Sequence, residues 1–214
     1  MAGRGPLVPR AAHQGGLVLL LAAIEFTVGM GVTQLGYPGY SDLRNAISDL
    51  GNSKLSPWFL VFNLSLILFG ILGVVAVWLL RSAFRPKTSS RIGVGLLAVA
   101  FGSAVGIGVF PEQVAHSLHV LFSSAAFLAS GLALLFLALS MLRDTRWEGL
   151  RLYTAASGIL ILAAIALLFS AATTAADFGA VERLVVAPGL LWAAVAGIHL
   201  GRMPVYDPIT TAGS

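Results

Sequence analysis

Long apolar runs separated by short polar loops dominate the chain. A hydrocarbon core about 30 Å thick requires about 20 apolar residues in helical form. Six runs qualify, at 17–35, 58–80, 92–110, 118–142, 152–172 and 184–200. Helices are predicted throughout, because lipid cannot satisfy the exposed backbone groups of a strand edge and the period-two alternation of strands is absent. The expected fold is all-α: a polytopic membrane bundle of six transmembrane helices over 17–201, with a loose N-terminus (1–16) and a tail (202–214).

Composition supports this. Of 214 residues, 57% are hydrophobic and 10% charged, against about 25% charged in soluble domains. Mean hydropathy is +0.90. Too few charges remain to cover a water-facing surface, so bilayer is the expected solvent. Cysteine is absent, which removes disulfides, thiol nucleophiles and thiolate metal sites. The formal charge of +4 indicates topology rather than nucleic acid, which is not an expected partner. Ten of the 13 Lys and Arg residues lie in the N-terminus, the second and fourth loops and the tail, leaving only Arg44, Lys54 and Arg183 for the other loops. By the positive-inside rule both termini are cytoplasmic. The first run is too long for a signal-peptide core and lacks a small-residue cleavage site after it.

Most unusual polar residues fall on the predicted outer face. In the first outer loop, Ser41 reads as a helix N-cap and Gly51 as a stop, with Leu43, Ile47 and Leu50 forming an apolar stripe at i, i+4 and i+7. Asp42, Asn45 and Asp49 occupy the other side. Asp42 reads either as a solvated acid favoured by the helix dipole or as a substrate-binding residue. Asp49 lies near the helix end, where the dipole disfavours an acid.

After the third run, Pro111 suits a first helical turn. Glu112, His116 and His119 then fall at i, i+4 and i+7, and Ser123 continues the stripe inward. That set can serve proton transfer, hold a metal or clamp a neighbouring helix. Two His without a full motif are a weak metal signal, so no metal and no cofactor is expected. Asp177, Glu182 and Arg183 complete the outer set, the last two as an interfacial anchor or an ion pair with the first loop, or as a head-group-binding pair in which Arg holds an anion and Glu is the acid or base.

Within the spans, Glu25 is costly if charged and facing lipid, so it is expected to be protonated, paired or facing a polar cavity. Asn63 can bridge helices. His199 is expected to snorkel to the cytoplasmic interface. Gly102 and Gly106 form a GxxxG step that predicts close packing, and Pro188 removes a backbone donor from the sixth span.

The runs YSDLRNAISDLG…SPWFLVFNLSLILFGIL, GIGVFPE…HSLHVLFSSAAF and ERLVVAPGLLW resemble the domain-of-unknown-function family 998, a group of six-span membrane proteins. The resemblance covers about residues 17–201. It implies a polar cluster of Asp49, Asn63, His119, Glu182 and Arg183, and it implies no reaction.

Two functions follow. One is a membrane enzyme acting on a lipid, isoprenoid or other apolar molecule. His119 would be its acid or base, Asp49 or Glu182 would orient that residue, and Arg183, Asn63, His116 and Asp42 would bind substrate. Proton-initiated cyclisation, with Glu25 as donor, is one form of this reading. The other is a non-catalytic accessory, lipid-binding or transport protein with a membrane-protein partner. His119 and His199 lie near opposite faces and cannot ligate one haem together.

Overall fold

The computed structural model describes residues 7–206. Six helices carry the chain: α1 (Arg10–Gly36), α2 (Phe59–Leu80), α3 (Thr88–Val109), α4 (Glu112–Ser140), α5 (Glu148–Leu168) and α6 (Phe178–Arg202). All six are long and apolar enough to cross a membrane. The protein is a multi-pass membrane helical bundle.

Its lipid-facing surface follows from helical periodicity. On α1, Leu17, Leu21, Ile24, Val28 and Leu35 are exposed, a stripe that a water-soluble protein would make polar. Trp58 and Trp78, also exposed, stand at the two ends of α2. Twenty residues separate them, about 30 Å of helix, matching the hydrocarbon thickness that interfacial Trp residues bracket.

Each helix packs against its neighbour in sequence, and α1 closes the ring on α6. At the closure Gly16 and Gly197 face each other, and a Cβ on Gly197 would lie 2.7 Å from the Gly16 carbonyl oxygen. Beyond it, β1 (Val8–Pro9) pairs in parallel with β2 (Val205–Tyr206). Both described ends of the chain therefore meet at one end of the bundle. Val8 is fully buried there, so the ordered chain reaches seven residues or more ahead of the predicted start at 17. The remainder of the two predicted tails, 1–6 and 207–214, lies outside the described residues.

Helices extend past the predicted runs because hydropathy registers only their apolar centres: α6 begins at Phe178 and α4 at Glu112. Glu25 consequently lies near the middle of α1, fifteen residues from its start. The GxxxG prediction holds for one glycine only. A Cβ on Gly106 would strike the Phe122 ring at 2.5 Å, whereas one on Gly102 would meet nothing within 4 Å. Gly106→Leu is expected to cost about 1–3 kcal/mol by overpacking, and Gly102→Leu within about 0.5 kcal/mol. Equal thermal-unfolding midpoints for the two variants in detergent would refute that assignment.

The predicted surface helix at 41–51 does not form. The segment is a chain of turns ending in a short 3-10 turn, Ser48–Gly51. Ile47 and Leu50 are buried while Leu43 is exposed, so the stripe is split. The cause is competition for backbone groups. Arg183 Nη1 takes the carbonyls of Asp42 (2.9 Å) and Asn45 (3.1 Å), which a helix would need for its own ladder. The Asp49 side chain accepts from Ala46 N (3.1 Å).

Candidate functional site

Inside the ring, at the end opposite the termini, lies a cavity of about 140 Å³. Every helix except α5 contributes to its wall. The deep wall is aromatic and aliphatic. Phe26 contacts Phe62 and Phe69, and Phe69 contacts Phe101, at centroid distances of 5.8, 5.0 and 5.2 Å. Polar groups gather at the loop end: Ser48, His119, Ser123 and Glu182, with Ser130 further down α4.

His119 is held by the break between α3 and α4. Pro111 has no N–H, and α3 stops at Val109, so the Phe110 carbonyl lacks a helical partner. His119 Nδ1 lies 3.1 Å from that oxygen. A carbonyl can only accept, so Nδ1 carries a hydrogen, and in the neutral ring Nε2 then keeps the lone pair. His119 is buried and lines the cavity, which leaves Nε2 as its open acceptor.

Glu182 sits in the second turn of α6, buried. Its Oε2 accepts from Ile47 N at 2.5 Å, fastening the loop down as the cavity's roof. Ile47 and Ser48 are the roof residues that reach the cavity. Among the described residues, no side-chain or backbone donor meets Glu182 Oε1.

Glu182 and His119 thus share one cavity. The other sequence candidates stand elsewhere. Arg183 is a clamp: Nη1 also holds Gly179 O (2.9 Å), and Nη2 holds Tyr40 Oη (2.6 Å) and Asp42 Oδ1 (2.6 Å). Burial pushes the Tyr40 phenol up, against the opposing pull of Arg183. It remains a hydroxyl, accepting from Arg183 and donating to Ala46 O (3.0 Å). Asp42 is exposed on the loop, also accepting from Gln34 Nε2 (3.1 Å). Asp49 accepts from Asn45 Nδ2 (3.2 Å) and Ala46 N, off the cavity wall. Asn63 donates to Gly51 O (3.0 Å), bridging α2 to the loop. Asp177 caps a turn through Thr174; those bonds hold its carboxyl below the ordinary range.

Glu25 accepts from Ser65 Oγ at 2.5 Å in the seam between α1 and α2. It does not line the cavity. The expected pairing is thus met by a serine, with Oε2 buried and unpartnered.

The stripe Glu112–His116–His119 is broken by backbone geometry. Ala115 has non-helical dihedrals (φ −145°, ψ 66°) inside α4. Glu112 Oε1 remains 3.3 Å from His116 Nδ1 on the exposed surface, while His119 turns inward. Among the described residues, no three His, Cys, Asp or Glu side chains converge as a metal-ligand set.

The family model described as "Protein of unknown function (DUF998)" matches residues 20–199, most of the chain. The chain belongs to this family. No curated protein and no solved structure matches it. In this DUF998 protein the wall residues Ser48 and Ser130 escape sequence reading, although Ser130 lies seven residues beyond Ser123 on the α4 face that His119 begins.

A second polar knot lies at the terminus-bearing end. Asp144, between α4 and α5, takes Arg146 Nε (3.0 Å) and Nη2 (2.7 Å) and faces Arg85 Nε at 3.4 Å. His199 Nε2 donates to Arg146 O (2.8 Å) and its ring lies against Trp147. His199 is therefore tied into the bundle rather than snorkelling. The cause is the 3-10 turn Thr145–Trp147, which brings a free carbonyl over it.

Proposed function

We propose that this chain is a membrane enzyme acting on a lipid, isoprenoid or other apolar molecule, with His119 and Glu182 as its proton-transfer pair. What carries the reading is the placement of an imidazole lone pair and an open carboxylate oxygen at one end of an otherwise largely apolar cavity. Such cavities with a few convergent polar groups are the default small-molecule site.

His119 Nε2 is positioned to take a proton from a substrate placed between the helices, since the Phe110 carbonyl fixes its tautomer. The imidazolium so formed would be steadied by Glu182 across the cavity. Glu182, rather than the off-cavity Glu25, is then the carboxyl available to the substrate. The excess of Lys and Arg at the terminus-bearing end supports a cytoplasmic position for that end, with the site in the outer half of the membrane.

The second reading, a non-catalytic lipid-binding or accessory protein, draws support from the occupation of Arg183, Asp49, Asn63 and Asp42 by protein groups.

Glu182→Gln separates the two, because its amide oxygen can still accept from Ile47 N–H and hold the roof. The expected result is a folded variant whose host membranes accumulate a lipid that wild type consumes, with conversion lowered roughly 10²–10⁴-fold, the usual weight of one acid–base group. Identical membrane lipid profiles with wild type and variant would sink the enzyme in favour of the accessory protein.

A further inference from the structure

The same cavity constrains the charge of its occupant. Among the described residues, no Lys or Arg lines it. Arg183, next to Glu182 in sequence, has both terminal nitrogens taken by Asp42 O, Asn45 O, Gly179 O, Tyr40 Oη and Asp42 Oδ1, and its side chain is not part of the wall. What the polar end offers is acceptors: His119 Nε2 and Glu182 Oε1. Two serine hydroxyls, Ser48 and Ser123, flank them. A second acid stands over the roof, since Ser48 Oγ donates to Glu112 Oε2 (3.4 Å).

An anionic head group entering here would meet the lone pairs of His119 and Glu182 and, among the described residues, no Lys or Arg on the wall, an arrangement that a partly dehydrated site penalises. A head group that donates hydrogen bonds meets the complementary arrangement. Below it, α6 lines the cavity from Glu182 to Trp192. Those ten residues of helix run about 15 Å, the direction in which an extended apolar chain would lie. The wall around that run includes Phe26, Phe62, Phe69 and Phe101.

We infer that the cavity takes a single-chain amphiphile whose head donates hydrogen bonds and carries no negative charge, a long-chain alcohol or amine, head toward Glu182 and His119 and tail toward Trp192. This rests on the cavity being the substrate site of the proposed enzyme. It removes phosphate- and carboxylate-headed lipids from the candidates, contrary to the role that sequence alone would give Arg183.

The test uses full-length protein in nanodiscs and four photoreactive probes with the same diazirine-bearing chain: dodecanol, dodecylamine, dodecyl phosphate and dodecyl sulfonate. Adducts are mapped by mass spectrometry to the wall segments around Phe101, Ser123 and Val186. The alcohol and amine should label these segments roughly tenfold or more above both anions, the order of a single unanswered charge contact. In Glu182→Gln, labelling by the two anions should rise several-fold. Anions labelling as well as the alcohol and amine in wild type would overturn the inference on head-group charge and leave the cavity as a lipid site. An unchanged preference in Glu182→Gln would overturn the assignment of that selectivity to Glu182. No wall labelling by any probe would overturn the proposed enzyme site together with its occupant.

Discussion

Arg183→Lys is expected to leave the six spans in place and open the first interhelical loop to trypsin. Arg183 joins α6 to four points of the loop and its own helix: the carbonyls of Asp42, Asn45 and Gly179, and the Tyr40 hydroxyl. Hydrogen bonds from a charged donor contribute roughly 1.5–3 kcal/mol each, and less than additively. The ion pair with Asp42 adds little, because that carboxylate's side chain is 64% exposed and surface pairs are worth about 0–1 kcal/mol. Lysine keeps the charge but has no planar fork, so it can reach only part of this set. The expected loss is about 3 kcal/mol of loop docking, roughly a hundredfold in the opening equilibrium. Cleavage at Arg44 and Lys54, both in or beside the loop, should accelerate accordingly, since proteolysis of a transiently opened segment follows its population. Asp42→Asn should change cleavage by less than about fivefold, within the range of a surface ion pair. Equal cleavage in Arg183→Lys and wild type would show that the loop is held by Glu182, Asn63 and apolar contacts alone.

That arrangement ties the loop to the cavity. Glu182 and Arg183 are adjacent on α6 but do different work. Arg183 anchors the outer turns of the loop, and Glu182 takes the Ile47 N–H directly above the cavity. Gly179, one turn earlier, lets the loop lie against α6; a Cβ there would run into the Asn45 carbonyl oxygen. The roof can therefore be loosened from its outer side without touching the carboxylate proposed to act on substrate. Arg183→Lys is accordingly a way to change access to the cavity while keeping Glu182 in it.

The spans were legible because a bilayer demands long apolar helices, and periodicity reports them directly. So was the gathering of polar residues at one end, where His119 and Glu182 line one cavity. Helix ends were less legible, since Glu112 and Phe178 begin helices that hydropathy starts six residues later. The role of Arg183 was legible in part. An ion pair with the first loop is one of the readings its sequence allows, and Asp42 Oδ1 lies 2.6 Å from its Nη2, but nothing local signals its further partners, carbonyl oxygens 138 and 141 residues away. The kink at Ala115 also has no local signal beyond Pro111, yet it decides that Glu112 and His116 remain on the surface while His119 turns inward. Glu25 showed only that a buried carboxylate needs a partner. That the partner is Ser65 depends on which faces of α1 and α2 meet.

Asp144→Ala is expected to be the most damaging single change at the terminus-bearing end. Asp144 is 3% exposed at its side chain, against 19% for its partner Arg146 and 59% for Arg85. Its carboxylate accepts from Arg146 N, Nε and Nη2. Removing it leaves a mostly buried guanidinium uncompensated, at a cost of about 3–5 kcal/mol. Trp147, which stacks on Phe84 at 4.9 Å, and His199 lean on the same turn, so the damage should spread to the α5–α6 contact. The pH dependence has a definite sign. Hydrogen bonds from the Arg146 side chain are the main cause holding the Asp144 carboxyl below its ordinary value of 3.8. A group whose pKa is lower when folded stabilises fully above its unfolded value, and that contribution fades as pH falls through the folded one. The deficit of Asp144→Ala should therefore be constant from neutral pH down to about pH 5 and shrink only below about pH 4. Thermal unfolding of both proteins in the same detergent across that range measures the deficit. A deficit that shrank already between pH 7 and pH 5 would mean that a different group, not this carboxylate, holds the turn.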